Sequence, residues 1–179
     1  MAGSTFNDKE WIAAFAQLQG PMKESLARRM CVSGGKVLEQ EAKRNAARVK
    51  VWKYNPTSFG SQKKGTLVKA IYLARNEKLT NSYQFTYTVS WNRKIAPYGK
   101  FVEFGYKQIY VVFKDRTGEF HTNKKIMLKT PRPVPATSFL GKAYDSHVHI
   151  AHQAMLERGR EEFPKLIREQ SQATETADV

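Results

Sequence analysis

Two long segments with the periodicity of amphipathic α-helices enclose a middle segment with the patterns of β-strands. The first helix is predicted over residues 21–49, because apolar residues recur at three-to-four-residue spacing and Pro21 suits a first helical turn. The second is predicted over residues 138–163, which show the same spacing, and Pro164 should interrupt or kink it. Each long helix must bury its apolar stripe against another layer of the fold.

The residues between the two helices carry strand signals. Large apolar and small polar side chains alternate over residues 82–91, which predicts a strand with one buried face. The β-branched and aromatic run 108–114, followed by turn residues and then 119–121, predicts a hairpin. Prolines occupy three of the six positions 130–135, so this segment should be an extended connector that ends the sheet. Residues 66–71 fit either a short helix or the entry to a strand.

The order of these elements predicts an α+β fold, in which two long helices pack on a small, mainly antiparallel sheet, with an extra N-terminal helix. That extra helix is expected over residues 8–18, where apolar residues again fall at helical spacing. Within the first long helix, Gly34 and Gly35 should either kink the helix or let another backbone approach closely.

The expected domain organisation has three parts. Residues 1–20 form a helical extension, and residues 21–168 form the α+β domain. A mobile loop is expected at about 55–64, where proline, glycine, serine and lysine cluster. Residues 169–179 are small, polar and acidic, which predicts a disordered tail.

The net charge of +14 points to a polyanionic partner without selecting one, since nucleic acid, anionic lipid and acidic protein surfaces all attract such a chain. Basic residues are spread along the sequence, and no run reaches the five or six like charges of a nucleic-acid-binding arm. The mean hydropathy of −0.58 and the short apolar runs exclude a predicted membrane span. The first residues lack the pattern of a secretory signal, so synthesis in the cytoplasm is expected.

Catalytic and metal-binding patterns are weak. Cys31 is the only cysteine and is expected to act as a small buried hydrophobe. His149 and His152 could offer two ligands to a metal from one helix, with His147 turned away, but ordinary surface histidines explain them better. Phosphate-binding and nucleophile-elbow patterns do not occur in the sequence. The prediction is therefore a protein without enzyme activity, metal or cofactor.

Four sequence segments, read in order, carry a family resemblance. They are 34–44, 65–71, 98–105 with its Val-Glu-Phe-Gly ending, and 132–144 with its Arg-Pro start and later Phe-Leu step. Together they resemble the small neck or tail-completion proteins of long-tailed phages, the family typified by the tenth gene product of coliphage HK97. The resemblance spans about residues 26–167.

The resemblance implies a structural virion protein that forms an oligomeric ring at the head–tail junction, with six-fold symmetry favoured over twelve-fold. Its implied neighbours are the head connector or stopper on one side and the tail terminator or tube on the other, with genomic DNA in the channel. The sequence departs from the family pattern at Ala70, at Tyr106 and at Gly141-Lys142, which affects the details of the turn into the last helix. The alternative function is a free basic nucleic-acid-binding protein.

Glu103 stands out because a charged residue lies among apolar neighbours on a predicted strand. It should accept from a neighbouring subunit's Lys or Arg, or from a backbone N–H near Gly105, unless it simply faces water. We therefore expect Glu103→Ala to weaken ring formation more than folding. The residues predicted to form the subunit interface are Tyr98, Phe101, Glu103, Phe104, Gly105, Arg132, Pro133, Phe139 and Leu140.

Overall fold

A computed structural model describes residues 16, 18, 20–49, 65–81, 84–114, 116 and 120–177. The fold is α+β, as the sequence predicts. Its elements, in chain order, are α1 (Gly20–Arg48), α2 (Thr66–Ala70), β1 (Ile71–Arg75), β2 (Tyr87–Trp91), α3 (Gly99–Phe104), β3 (Tyr106–Lys114), β4 (Phe120–Val134) and α4 (Phe139–Ala177).

The two long helices, α1 and α4, pack against each other along their length. A side chain on Gly34 would lie 2.8 Å from the carbonyl oxygen of Ala151 and 2.5 Å from Met155 on α4. The two helix backbones therefore approach closely at Gly34. Of the two roles predicted for Gly34 and Gly35, a kink or a close approach, the structure shows the close approach, and α1 continues as one helix through the pair. Farther along the two helices, the side chain of Met30 on α1 packs against Gly159 on α4.

The main core lies where α1, α2, β1, β2 and the start of α4 meet. Its centre is the pair Trp91 and Phe139, whose rings pack edge to face with centroids 5.9 Å apart. The buried members of this core are Ala42, Ala46, Leu67, Ala70, Ile71, Trp91, Ala96, Phe139 and Ala143. A second, smaller cluster closes the far end of the two long helices with Leu18, Leu26, Phe163 and Leu166.

The segment 66–71 combines the two structures that its pattern allows, because α2 ends at Ala70 and β1 begins at Ile71. β1 pairs antiparallel with β2, in the register Ile71 with Trp91 and Arg75 with Tyr87. Of the strand predicted over 82–91, residues 87–91 are confirmed. Residues 84–86 lie outside the strand, and residues 82–83 lie outside the described part of the chain.

The predicted hairpin is confirmed, but it forms a second two-stranded sheet rather than part of one larger sheet. The predicted connector at 130–135 is wrong, because β4 continues to Val134, which pairs with Tyr106. Prolines are tolerated there because, among the described strands, β4 has a neighbour on one side only. A missing N–H on the other side therefore breaks no hydrogen bond of the sheet. Register shifts lie between Gln108 and Tyr110 and between Tyr110 and Val111.

The predicted end of the last helix is also wrong, since α4 continues through Pro164 to Ala177. Pro164 is exposed, while Phe163 and Leu166 on either side of it are anchored in the second cluster. Helix therefore replaces most of the predicted disordered tail at 169–179, because extending an existing helix needs no new nucleation. The predicted loop at 55–64, and all but two positions of the predicted helix at 8–18, lie outside the described residues.

Candidate assembly surface

Glu103 lies on the short helix α3, not on the strand that its apolar neighbours predict. Its carboxylate is buried and accepts three hydrogen bonds from the beginning of α4. The donors are the Ser138 hydroxyl at 3.2 Å, the Leu140 backbone N–H at 2.9 Å and the Gly141 backbone N–H at 3.0 Å. Every partner of this carboxylate named here belongs to the same chain.

These contacts make Glu103 a cap for α4, supplied by another element. The first N–H groups of a helix have no partner within the helix, and the helix dipole favours a negative charge beside them. Glu103 satisfies two of those N–H groups at once. The buried carboxylate does not face water, and its backbone donors lie at the start of α4 rather than near Gly105. A contact with a neighbouring subunit's cation stays a prediction.

Gly105 fixes the direction in which the hairpin leaves α3. Its backbone has φ 71° and ψ 179°, a conformation open essentially to glycine alone. A side chain there would lie 2.5 Å from the carbonyl oxygen of Val134 and 2.9 Å from the backbone nitrogen of Ala136. The backbone N–H of Thr137 donates to the Val102 carbonyl at 2.8 Å. α3, the end of β4 and the start of α4 are thus tied together.

The nine residues predicted to form a subunit interface fall into two groups. Phe139 and Glu103 are buried within the subunit, and Leu140, Tyr98 and Gly105 are partly buried. Burial raises the pKa of the Tyr98 hydroxyl. The other four are exposed and available for contact with another molecule: Phe101, Phe104, Arg132 and Pro133.

A larger exposed apolar surface lies beside these four residues, and most of it was not predicted. Phe101 packs edge to face on Tyr106 with ring centroids 5.4 Å apart, which links α3 to the hairpin. We call the hairpin, residues 106–134, the arm. The arm surface consists of Phe101, Phe104, Tyr106, Ile109, Tyr110, Phe113, Ile126 and Met127, all at least 37% exposed.

A sequence signal for this surface exists in β3. Neighbouring residues of a strand point to opposite faces, yet Ile109 and Tyr110 are both large, and both are exposed. A hairpin with one face on a core would alternate apolar with polar residues. When both faces of a strand in a two-stranded hairpin are apolar, we expect another part of the protein or another molecule to cover one of these faces.

The arm also carries a larger excess of positive charge than the sheet of β1 and β2. By sequence, residues 106–134 carry seven lysines and arginines against two acidic residues. None of the ion pairs found among the described residues involves the exposed arm cations, which are Lys107, Arg116, Lys124, Lys125, Lys129 and Arg132. The long helices differ, because there Glu39, Glu41 and Glu162 pair with cations.

The histidines predicted on the last helix do not come together with other ligands. His147 lies with its Nε2 atom 3.5 Å from Glu41 and its Nδ1 atom 2.8 Å from the Ser146 hydroxyl, while His149 and His152 are exposed. Within the described ranges, no three His, Cys, Asp or Glu side chains form a group able to hold a metal. Cys31 is partly buried, and this burial raises the pKa of its thiol.

None of the helices, in the portion of the chain that the structure covers, has both the length and the apolar character needed to cross a membrane.

Comparison with known protein families gives one match. A family model described as "Bacteriophage HK97-gp10, putative tail-component" matches residues 9–105, which is just over half of the 179-residue chain. The matched region includes α1, the sheet of β1 and β2, and α3 with Glu103. Searches among curated proteins and solved structures found no match.

Proposed function

This chain belongs to the HK97-gp10-like family of phage tail components, and from that premise we propose that it assembles into a ring at the junction between head and tail. Membership makes it a structural component of the phage tail. The proposed ring has six copies and sits between the head connector or stopper and the tail terminator or tube. Packaged DNA passes through its channel on the way out of the head.

The observation that carries the ring proposal is the arm surface. Monomeric soluble proteins rarely expose contiguous apolar patches above a few hundred Å². Eight large side chains of this surface are exposed, and Phe104 reaches 69%. A two-stranded hairpin is also marginally stable alone in water, and this arm makes few contacts with the rest of the described chain. Both features favour a subunit whose arm is covered by another copy.

The charge of the arm supports a channel that contains DNA. The six exposed cations of the arm would form a belt of positive charge once several arms are brought together. Such a belt attracts phosphates without reading base sequence, as a channel for a whole genome requires. It would also raise the electrostatic cost of assembly, which bound polyanion would offset.

Native mass spectrometry and negative-stain electron microscopy of the purified chain test the ring directly. We expect closed rings for the unchanged protein and a smaller assembled fraction for Phe104→Ser. Leu156→Ser is the matched control, because Leu156 is also a large apolar residue, 42% exposed, but lies on α4 rather than on the arm or on β2. A monomeric unchanged protein at concentrations of about 10 to 100 μM, or equal effects of both substitutions, would contradict the proposal.

The unpaired arm cations also favour a second candidate, a free nucleic-acid-binding protein. This candidate predicts that the monomer binds duplex DNA and that its affinity falls steeply as salt rises, by about 1,000-fold or more between 50 and 200 mM for six or more phosphate contacts. The ring proposal predicts weak binding by monomers and strong binding only after assembly. Titration of a DNA duplex with the Phe104→Ser variant separates the two candidates.

A further inference from the structure

We propose that the ring closes by backbone pairing, in which the free edge of β3 in one subunit adds to the free edge of β2 in the next. This inference rests on the proposed ring and names the strands that build it. Among the described residues the strands form two separate two-stranded sheets, so four strand edges have no partner strand in that part of the chain. Three or more strands are normally needed for a stable sheet. Pairing between subunits would join both incomplete sheets into one of four strands.

β3 presents the open edge of the arm. Its nine residues contain no proline, and its central segment, 108–113, contains no charged residue. Valine, isoleucine, tyrosine and phenylalanine fill most of that segment, and these residues favour strands. An exposed edge of this kind is a template for another strand, and natural proteins protect such edges unless the edge is used.

β4, the other edge of the same hairpin, is protected in three ways. Pro131 and Pro133 remove N–H donors. Lys124, Lys125 and Lys129 place charges along the strand. The register shifts add unpaired residues to β4, since Tyr110 pairs with Met127 whereas its neighbour Val111 pairs with Asn123. The contrast between the two edges of one hairpin selects β3 as the strand that pairs.

β2 is the best receiving edge among the described strands. Its five residues carry no charge or proline, and its register with β1 is regular from Tyr87 to Trp91. The other edge of that sheet, β1, ends in Arg75, which pairs with Glu24 at 3.6 Å. Contact between the arm and a different sheet joins two unlike surfaces, which is what a cyclic ring with a head side and a tail side requires.

The area available is of the right size for such a contact. The arm surface contains five aromatic side chains between 37% and 69% exposed, and an aromatic residue covers about 150 to 250 Å². Together with the exposed Ile109, Ile126 and Met127 this gives on the order of 700 Å² of apolar area over both faces of the arm, of the same order as the roughly 800 Å² per partner of a standard interface.

Hydrogen exchange of backbone amides, measured in the assembled and the dissociated chain, tests the pairing. In the free arm, the N–H groups of β3 that point away from β4 should exchange rapidly. Assembly should slow these amides within 108–113, and the outward amides of β2, by about 100-fold or more, and should leave the outer edge of β4 unchanged. A ring whose β3 or β2 amides exchange as fast as in the monomer would overturn the pairing but leave the ring intact. A chain that never assembles would remove both proposals.

A pair of matched substitutions gives an independent readout. Ile109 on β3 and Ile150 on α4 are the same residue type, each 40% exposed. We expect Ile109→Lys to lower the assembled fraction at least about 10-fold, because a lysine on an edge strand opposes pairing. Ile150→Lys should assemble as the unchanged protein does. Circular dichroism confirms that both variants are folded, and equal assembly of the two folded variants would overturn the proposal.

Discussion

The carboxylate of Glu103 accepts the backbone N–H of Leu140 at 2.9 Å, across 37 residues of sequence. This bond joins the short helix that carries Phe101 and Phe104 to the first turn of the long helix α4. The residue therefore positions the beginning of the arm surface from inside the subunit. Its hydrogen bonds lie within the subunit, so Glu103→Ala should weaken folding directly, and the larger effect on ring formation stays a prediction.

Glu103→Ala should lower the free energy of unfolding by about 2 to 4 kcal/mol, because it removes a buried acceptor and leaves N–H groups of α4 without a partner. Glu103→Gln should cost less, since one oxygen still accepts while the new amide group faces a backbone donor. Urea denaturation of the two variants measures the difference. Unchanged stability of Glu103→Ala together with lost assembly would instead support the interface role.

Gly105→Ala should destabilise the chain by about 3 kcal/mol or more, because its φ of 71° is combined with backbone atoms of Val134 and Ala136 where a side chain would lie. Gly65→Ala is the matched control. Gly65 also has a positive φ, 85°, but has no atom within 4 Å of an added Cβ, so we expect a loss of only about 1 kcal/mol. Thermal unfolding of both variants compares them, and similar losses would show that the contact with β4 is unimportant.

Glu162 should make the free energy of unfolding depend on pH in the acidic range. Hydrogen bonds from Lys165 and Arg29 lower the pKa of this carboxyl below its ordinary value of 4.5, with Arg158 adding a favourable charge and burial opposing the shift. A lowered folded-state pKa means that the stabilisation is complete above the ordinary value and is lost as pH falls through the lowered one.

The test of this linkage compares Glu162→Gln with the unchanged chain by urea denaturation between pH 7 and pH 2. The variant should be less stable at pH 7, and the difference should shrink steadily below about pH 4.5. The reason is that the unchanged carboxyl becomes neutral there, as the glutamine always is. A difference that stays constant down to pH 2 would show that the ion pairs of Glu162 contribute nothing.

The sequence was most informative where a pattern was long. The two long helices and the hairpin follow from periodicity and β propensity. For Gly34 the sequence allowed a kink or a close approach, and the structure shows the close approach. The type of secondary structure was predicted wrongly for a segment of only a few residues. Six residues from Gly99 to Phe104 are too few to distinguish a helix from an apolar strand, and contacts with α4 decide in favour of the helix.

The residues predicted to form a subunit interface differ in exposure, for a related reason. Phe101 and Phe104 are exposed, as an interface requires, but Phe139 and Glu103 serve the core and the cap of α4. Apolar character alone does not say whether a side chain faces its own subunit or another one. That distinction depends on which sheet each strand joins, and the separation of the hairpin from β1 and β2 is a tertiary property.

Electron microscopy of lysates gives a direct test of the proposed structural role at the head–tail junction. The lysates come from a phage that encodes this chain and carries a nonsense mutation in its gene, with and without the intact chain supplied from a plasmid. A joining role predicts DNA-filled heads and separate tails without the chain, and joined particles when the chain is supplied. Normal, infectious particles without the chain would contradict it.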